Sequence, residues 1–155
     1  MTQLTIGMKA PNFQLPQDGG PEISLSDYAG RNVVLFFYPR DNTSGCTKEA
    51  IEFSERSSEF QKLGYDVLGV SKDSLKSHEK FRAKHNLSVP LLSDENGTMC
   101  EDYGVWVEKK MYGKTYMGIE RATFLISEDG TILNIWRKVK VKDHAQTVLN
   151  YINDV

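Results

Sequence analysis

The chain has 155 residues and a mass of 17.6 kDa, long enough for one domain with a full core and too short for two. Hydrophobic residues make up 39% and charged residues 26%, a globular balance that argues against a disordered tail protein. With 19 basic and 21 acidic side chains the net charge is −2, so neither nucleic acid nor an anionic membrane surface is expected as a partner.

Apolar and amphipathic segments alternate without repeats or linkers, which predicts a single domain over 1–155. Phe13 and Leu15, then Ile23 and Leu25 after a Gly-Gly-Pro turn, predict a short N-terminal hairpin. Ser26 or Asp27 is placed to cap a brief helical turn ending at Gly30. Val33-Val34-Leu35-Phe36-Phe37-Tyr38 is apolar on both alternating faces, as a central strand covered on both sides requires. Pro39 ends it. Helical spacing of Ala50, Phe53, Phe60 and Leu63 predicts a helix from about Ser44 to Leu63, stopped at Gly64. Asp66 to Ser71 reads as a second buried strand, so strand, helix and strand form a right-handed parallel βαβ unit.

Asp73 or Ser74 caps a helix reaching about His85, and Val89 to Leu92 is extended. A small helix carrying Cys100 ends at Gly104. Ala122 to Ile126 and Thr131 to Trp136 flank Glu128-Asp129-Gly130 as a hairpin. Ala145, Val148, Leu149 and Ile152 give a closing helix behind Asp143. The sum is an α/β chain with a mixed central sheet, helices on both faces and an N-terminal hairpin extension, an order that fits a thioredoxin-like fold.

Two cysteines, Cys46 and Cys100, are too few for a disulfide framework. The opening stretch, Met1 to Lys9, has no basic n-region or long apolar run, so no signal peptide is expected, and a reducing cytoplasm is the expected home. Cys46 follows Pro39-Arg40-Asp41-Asn42-Thr43-Ser44-Gly45, between the carboxyl end of a buried strand and a helix start. Open α/β sheets place their sites there. A cysteine in a first helical turn meets the positive end of the helix dipole and free N–H groups, which favour thiolate over thiol. Thr43 lies one turn earlier, within reach of the sulfur or of an oxygen bound beside it. A small buried cysteine that merely packs remains the bland alternative.

Pro39-x-x-x-Thr43-x-x-Cys46 resembles the active-site motif of the peroxiredoxins. Gly7-x-x-Ala10-Pro11-x-Phe13, Val67-Leu68-Gly69-Val70-Ser71-x-Asp73, Leu91-Leu92-Ser93-Asp94, Tyr103-Gly104-Val105-Trp106 and Gly113-Lys114-Thr115-Tyr116 are similar to one branch, the bacterioferritin comigratory protein or peroxiredoxin Q group. The resemblance implies a thiol-dependent peroxidase that reduces hydrogen peroxide and organic hydroperoxides. Cys46 is then the peroxidatic cysteine, oxidised to a sulfenic acid. Thr43 hydrogen-bonds the peroxide or the sulfur, Pro39 walls the pocket, Arg121 stabilises the thiolate and orients the peroxide, and N–H groups near Gly45 bind the peroxide. No metal or other cofactor is implied, and a monomer is expected.

The sequence departs from that group where a second cysteine resolves the sulfenic acid. The position five residues after Cys46 is Ile51, and the alternative position in the next helix aligns with Arg82. Only Cys100 remains as a possible resolving thiol. The expectation is a one-cysteine mechanism completed by thioredoxin, glutaredoxin or a small thiol. A proline often precedes the Gly-Cys pair in the group. Ser44 replaces it here and can serve as an N-cap. A glutathione-peroxidase-like enzyme would need a Gln and a Trp partnering the cysteine; a redox sensor that relays oxidation from Cys46 is a further alternative.

Other signals are weaker. No Cys-x-x-Cys, phosphate loop or Gly-x-Gly-x-x-Gly is present. His78 and His85 read as surface residues without a partnering carboxylate, so no metal site is expected. Arg137 to Lys142 reads as a solvated basic edge, and Trp106, Tyr112 and Tyr116 are explained as well by core packing as by substrate contact.

Overall fold

The computed structural model describes residues 3–154. A two-residue pair, β1 (Gln14–Leu15) against β2 (Ile23–Ser24), forms the N-terminal hairpin, and a 3-10 turn follows at Leu25–Tyr28. Ser24 caps that turn, and Asp27 accepts from its N–H at 2.9 Å, so the cap lies two residues before Ser26. Then come β3 (Asn32–Phe37), α1 (Ser44–Lys62), β4 (Tyr65–Ser71), α2 (Leu75–His85), β5 (Leu91–Ser93) and α3 (Met99–Asp102). The chain closes with β6 (Trp106–Met111), β7 (Lys114–Ile119), β8 (Ala122–Ile126), β9 (Ile132–Arg137) and α4 (His144–Asn153).

The main sheet runs β5-β4-β3-β8-β9. The β3–β4 and β4–β5 pairs are parallel, and β3–β8 and β8–β9 are antiparallel. This is the mixed, thioredoxin-like sheet expected of the sequence. β3 is central because its five apolar positions, Val33 to Phe37, have nothing polar to give to water, and its side chains, with Tyr38 just beyond it, divide by parity. Val33, Leu35 and Phe37 enter one core with Cys100, Tyr103 and Phe124; Val34, Phe36 and Tyr38 enter the other with Cys46, Phe53 and Leu149. Phe36 stacks on Phe53 of α1 at 4.5 Å, fixing that helix against the strand that ends at the site. Among the described residues, no helix is long and apolar enough to cross a membrane.

Three sequence expectations are corrected. Tyr112 and Tyr116 are not core, while Trp106 and Ile119 at the base of the ribbon do pack against the core: β6 and β7 pair only with each other, and Tyr112 is 97% exposed. Their turn is set by Tyr112 and Gly113, both with positive φ, the geometry of a tight two-residue hairpin. His78 is fully buried rather than superficial, and its carboxylate partner is Asp41. Ser44 is the first residue of α1 and Thr43 its N-cap. Asp143 precedes α4 as expected, but its side chain makes no capping bond.

Arg82 of α2 donates to both oxygens of the buried Asp18, at 2.5 and 2.9 Å, and to the carbonyls of Leu87 and Val89. Arg82 is thus a structural clamp. Removing one partner of such a pair strands a buried charge. Arg82→Ala is expected to cost about 3 kcal/mol in urea unfolding, whereas a loss within about 0.5 kcal/mol would show the clamp to be inert.

Candidate active site

Pro39 breaks β3 at its carboxyl end, and Arg40 to Thr43 turn the chain into α1. Thr47 N–H donates to the Thr43 carbonyl at 2.8 Å, the first helical bond, so the N–H groups of Ser44, Gly45 and Cys46 lie at the open end of the helix. Cys46 itself is only 1% exposed.

Arg121 arrives from the residue before β8, the antiparallel neighbour of β3, and its guanidinium bridges two groups of α1. Nη2 donates to Cys46 Sγ at 3.3 Å and Nη1 to Glu49 Oε1 at 2.6 Å. Burial opposes its charge, but Glu49 and Cys46 more than compensate and leave its pKa raised. Gly45 leaves room for the approach: a Cβ there would stand 3.3 Å from Arg121 Nη2, a tight contact. The Arg121 carbonyl in turn accepts from Val139 N–H at 3.1 Å.

Thr43 does not hydrogen-bond the sulfur in this state. Its hydroxyl donates to the Arg40 carbonyl at 2.9 Å, which leaves its lone pairs free to accept from an incoming O–H. Pro39, Arg40 and Thr43 line a cleft of about 570 Å³ whose far wall is the β6–β7 ribbon, with Trp106, Lys109 and Met117. The site residues named from the sequence, Pro39, Thr43, Gly45, Cys46 and Arg121, are therefore brought together. Cys100 is not. It belongs to the core on the opposite face of the sheet, and burial, with Asp94 beside it, pushes its thiol far up.

Glu49 was missed by sequence reading. It lies three residues after Cys46 on the same helix face, one turn on, and that spacing was the available signal. Burial pushes its carboxyl up to about 7, with the Arg121 charge and hydrogen bond pulling the other way; its Oε2 is buried without a partner among the described residues. Behind the guanidinium, His144 Nε2 meets Thr123 Oγ1 at 2.7 Å, and burial first, then the Arg121 charge, lowers its pKa to about 4.

Beneath the loop, Asp41 accepts from the Tyr38 hydroxyl, the Ser77 hydroxyl and His78 Nδ1, at 2.7, 2.8 and 2.7 Å. His78 Nε2 faces the Leu92 carbonyl at 3.0 Å. Both ring nitrogens thus meet pure acceptors, which calls for the imidazolium, and despite burial the pKa is raised by Asp41 and Leu92. Asp41, Asp73 and His78 have ligand atoms within 4.8 Å of one another, spacing a metal could use. Their oxygens are engaged, however, since Asp73 Oδ2 accepts from Asp41 N–H at 2.8 Å and from Ser71 at 2.6 Å. The cluster is a hydrogen-bonded latch between the loop, β4 and α2.

A profile of the AhpC/TSA family matches residues 6–135. The chain belongs to the AhpC/TSA family. Peroxiredoxin Bcp of Bacillus subtilis is 47% identical over 152 residues, covering 98% of this chain and 97% of that protein. Peroxiredoxin Bcp of Escherichia coli K12 is 41% identical, covering 99% of each. Among solved structures, PrxQ of Xylella fastidiosa, as a Cys-to-Ser mutant, superposes with a TM-score of 0.93 at 40% identity, covering 99% of this chain and 98% of that one. The bacterioferritin comigratory protein of Xanthomonas campestris, solved as trapped intermediate and ligand complexes bearing on its alkyl peroxide reduction, gives 0.87 at 44% identity, covering 92% and 90%. The peroxiredoxin Q resemblance and the thioredoxin-like fold hold, and this AhpC/TSA chain is a thiol-dependent peroxidase.

The Glu49 carboxyl binds its proton more tightly folded, at about 7, than unfolded, at 4.5. Its contribution to stability is therefore full below pH 4.5 and falls as the pH rises to about 7. Glu49→Gln is expected to flatten that part of the stability–pH profile, measured as urea midpoints. An unchanged slope would show that Glu49 does not titrate there.

Proposed function

We propose that Cys46 is the peroxidatic cysteine of a one-cysteine peroxidase, reducing hydrogen peroxide and organic hydroperoxides with an external thiol as part of antioxidant defence. The observation that carries the reading is Cys46 Sγ at a helix opening, 3.3 Å from Arg121 Nη2, with the other cysteine across the sheet.

The attacking species is the thiolate. It attacks the terminal peroxide oxygen; the S–O bond forms as the O–O bond breaks, and the alkoxide or hydroxide takes a proton and leaves as alcohol or water. The guanidinium lies beside the sulfur and the oxygens approaching it, and donates where charge develops. Thr43 accepts from the peroxide O–H, and Pro39 walls the pocket. The N–H groups near Gly45 add donors at the helix start. Glu49 acts through Arg121, holding the guanidinium over the sulfur, and is a positioning residue.

Cys46 is left as a sulfenic acid. One outside thiol attacks its sulfur, releasing water and forming a mixed disulfide; a second releases the disulfide product and restores the Cys46 thiol. Thioredoxin, glutaredoxin or a small thiol of a reducing cytoplasm fills this role. Ile51 and the clamped Arg82 support this route, because the positions where similar chains carry a second thiol are occupied by side chains that pack or pair.

Cys46→Ser is expected to abolish peroxide turnover, and Cys100→Ser to leave it near normal with an external thiol. After one equivalent of peroxide, intact mass is expected to rise by one oxygen. A loss of two hydrogens instead would establish an internal disulfide and end the one-cysteine reading. Single-turnover oxidation without catalytic consumption of peroxide would favour a sensor.

A further inference from the structure

The cleft beside Cys46 holds a cation that nothing in the reaction above uses. Lys109 lies in β6, and Lys109, Met111, Tyr116 and Gly118 share one face of the ribbon by register. The stem of Lys109 runs across Gly118: a Cβ at that position would stand 3.3 Å from Lys109 Cδ and 3.3 Å from Tyr116 Cε2. The bare glycine leaves room for the long side chain to lie across the ribbon.

Other basic residues at this cleft are differently placed. Lys72 is neutralised by Asp94 and Glu101, at 3.5 and 3.0 Å, and sits over the Trp106 ring. Arg40 is exposed on the loop. Lys109 is half-buried and has no ion-pair partner among the described residues. Its charge is disfavoured by burial and by Arg121, with Cys46 and Glu120 opposing, and its pKa is lowered. Glu120 is meanwhile 3.9 Å from Arg137. A cation kept partly dry beside another cation gains more from an arriving anion than a solvated one does.

The walls describe the rest of the ligand. Met111 and Tyr116 line the cleft from the face of Lys109, and Trp106, Met117 and Ile119 line it from the ribbon's other face; its volume of about 570 Å³ suits an organic molecule rather than bare hydrogen peroxide. The acidic group lining it is Asp73, which is held by Asp41 N–H and the Ser71 hydroxyl.

We propose that Lys109 is a specificity-determining residue that anchors a carboxylate carried by the organic co-substrate while its reactive group, O–O or S–H, faces Cys46. The inference rests on the Cys46 reading above. The carboxylate can belong to the hydroperoxide or to the reducing thiol, and matched acid and ester pairs separate the two.

The test compares kcat/KM for a hydroperoxy fatty acid and its methyl ester, then for glutathione and its diethyl ester, in wild type, Lys109→Met and Lys109→Arg. The acid-to-ester ratio is expected to fall by about fivefold in Lys109→Met and to be retained in Lys109→Arg. A fall in the peroxide pair assigns the anchor to the oxidant, and a fall in the thiol pair assigns it to the reductant. Ratios unchanged in both pairs, even with turnover lowered overall, overturn the proposal. Turnover that survives Cys46→Ser overturns the parent reading and this one with it, whereas loss of turnover in Cys46→Ser beside unchanged ratios overturns this one alone.

Discussion

The guanidinium of Arg121, shared between the Cys46 sulfur at 3.3 Å and the Glu49 carboxylate at 2.6 Å, ties the local features of the site to one another. It lies tight against the space that Gly45 leaves open, and it pairs the carboxyl buried one turn into α1. It also contributes to keeping His144 neutral behind the site. The arrangement exists only because β8 runs antiparallel to β3, so that the start of β8 lies beside the end of β3, where α1 begins. A permanent cation and a helix opening converge there on one sulfur. Each element's sequence pattern serves that meeting point: the apolar β3, the Pro39 break, and Phe53 stacked on Phe36.

Sheet parity does as much for the chemistry as contact does. Cys46 and Cys100 are both buried and both free, yet they belong to cores on opposite faces of the main sheet. A disulfide needs Cα atoms within about 7 Å, and a five-stranded sheet lies between these two. Cys100 also sits beside the Asp94 carboxylate, whose Oδ2 accepts from its N–H at 2.8 Å, a setting hostile to a thiolate. The identity of the chain's second cysteine thus says nothing about resolution until the fold assigns it a side.

How legible each feature was depended on how far its causes lay along the chain. The strands β3 and β4, helix α1 and the β8–β9 hairpin were readable because apolar periodicity is a local signal. Pro39, Thr43 and Cys46 were readable because they occupy a single turn. Glu49 was not, since its meaning depends on an arginine 72 residues away. His78 was misread for the same reason: its partner Asp41 is 37 residues distant, and a lone histidine on a polar helix carries no mark of burial. The β6–β7 ribbon escaped because both its faces are largely solvated, so lysine, glutamate and methionine erase the alternation that marks a strand against a core. Its turn residues, Tyr112 and Gly113, were the one local clue.

The same features that build the site oppose its regeneration. Cys46 is 1% exposed, and its loop is pinned from below by Asp41, held through Tyr38, Ser77 and His78, and by Asp73. A peroxide must bring its terminal oxygen to that buried sulfur, and a reducing thiol must bring its own sulfur into line with the S–O bond. Asn42 to Cys46 lie between the hydrogen-bonded latch beneath the loop and the charge-assisted Arg121 bridge above it. Thr43 and Gly45, which sit in that span, are therefore constrained from both sides, by the latch that fixes the loop and by the guanidinium that lies beside Cys46.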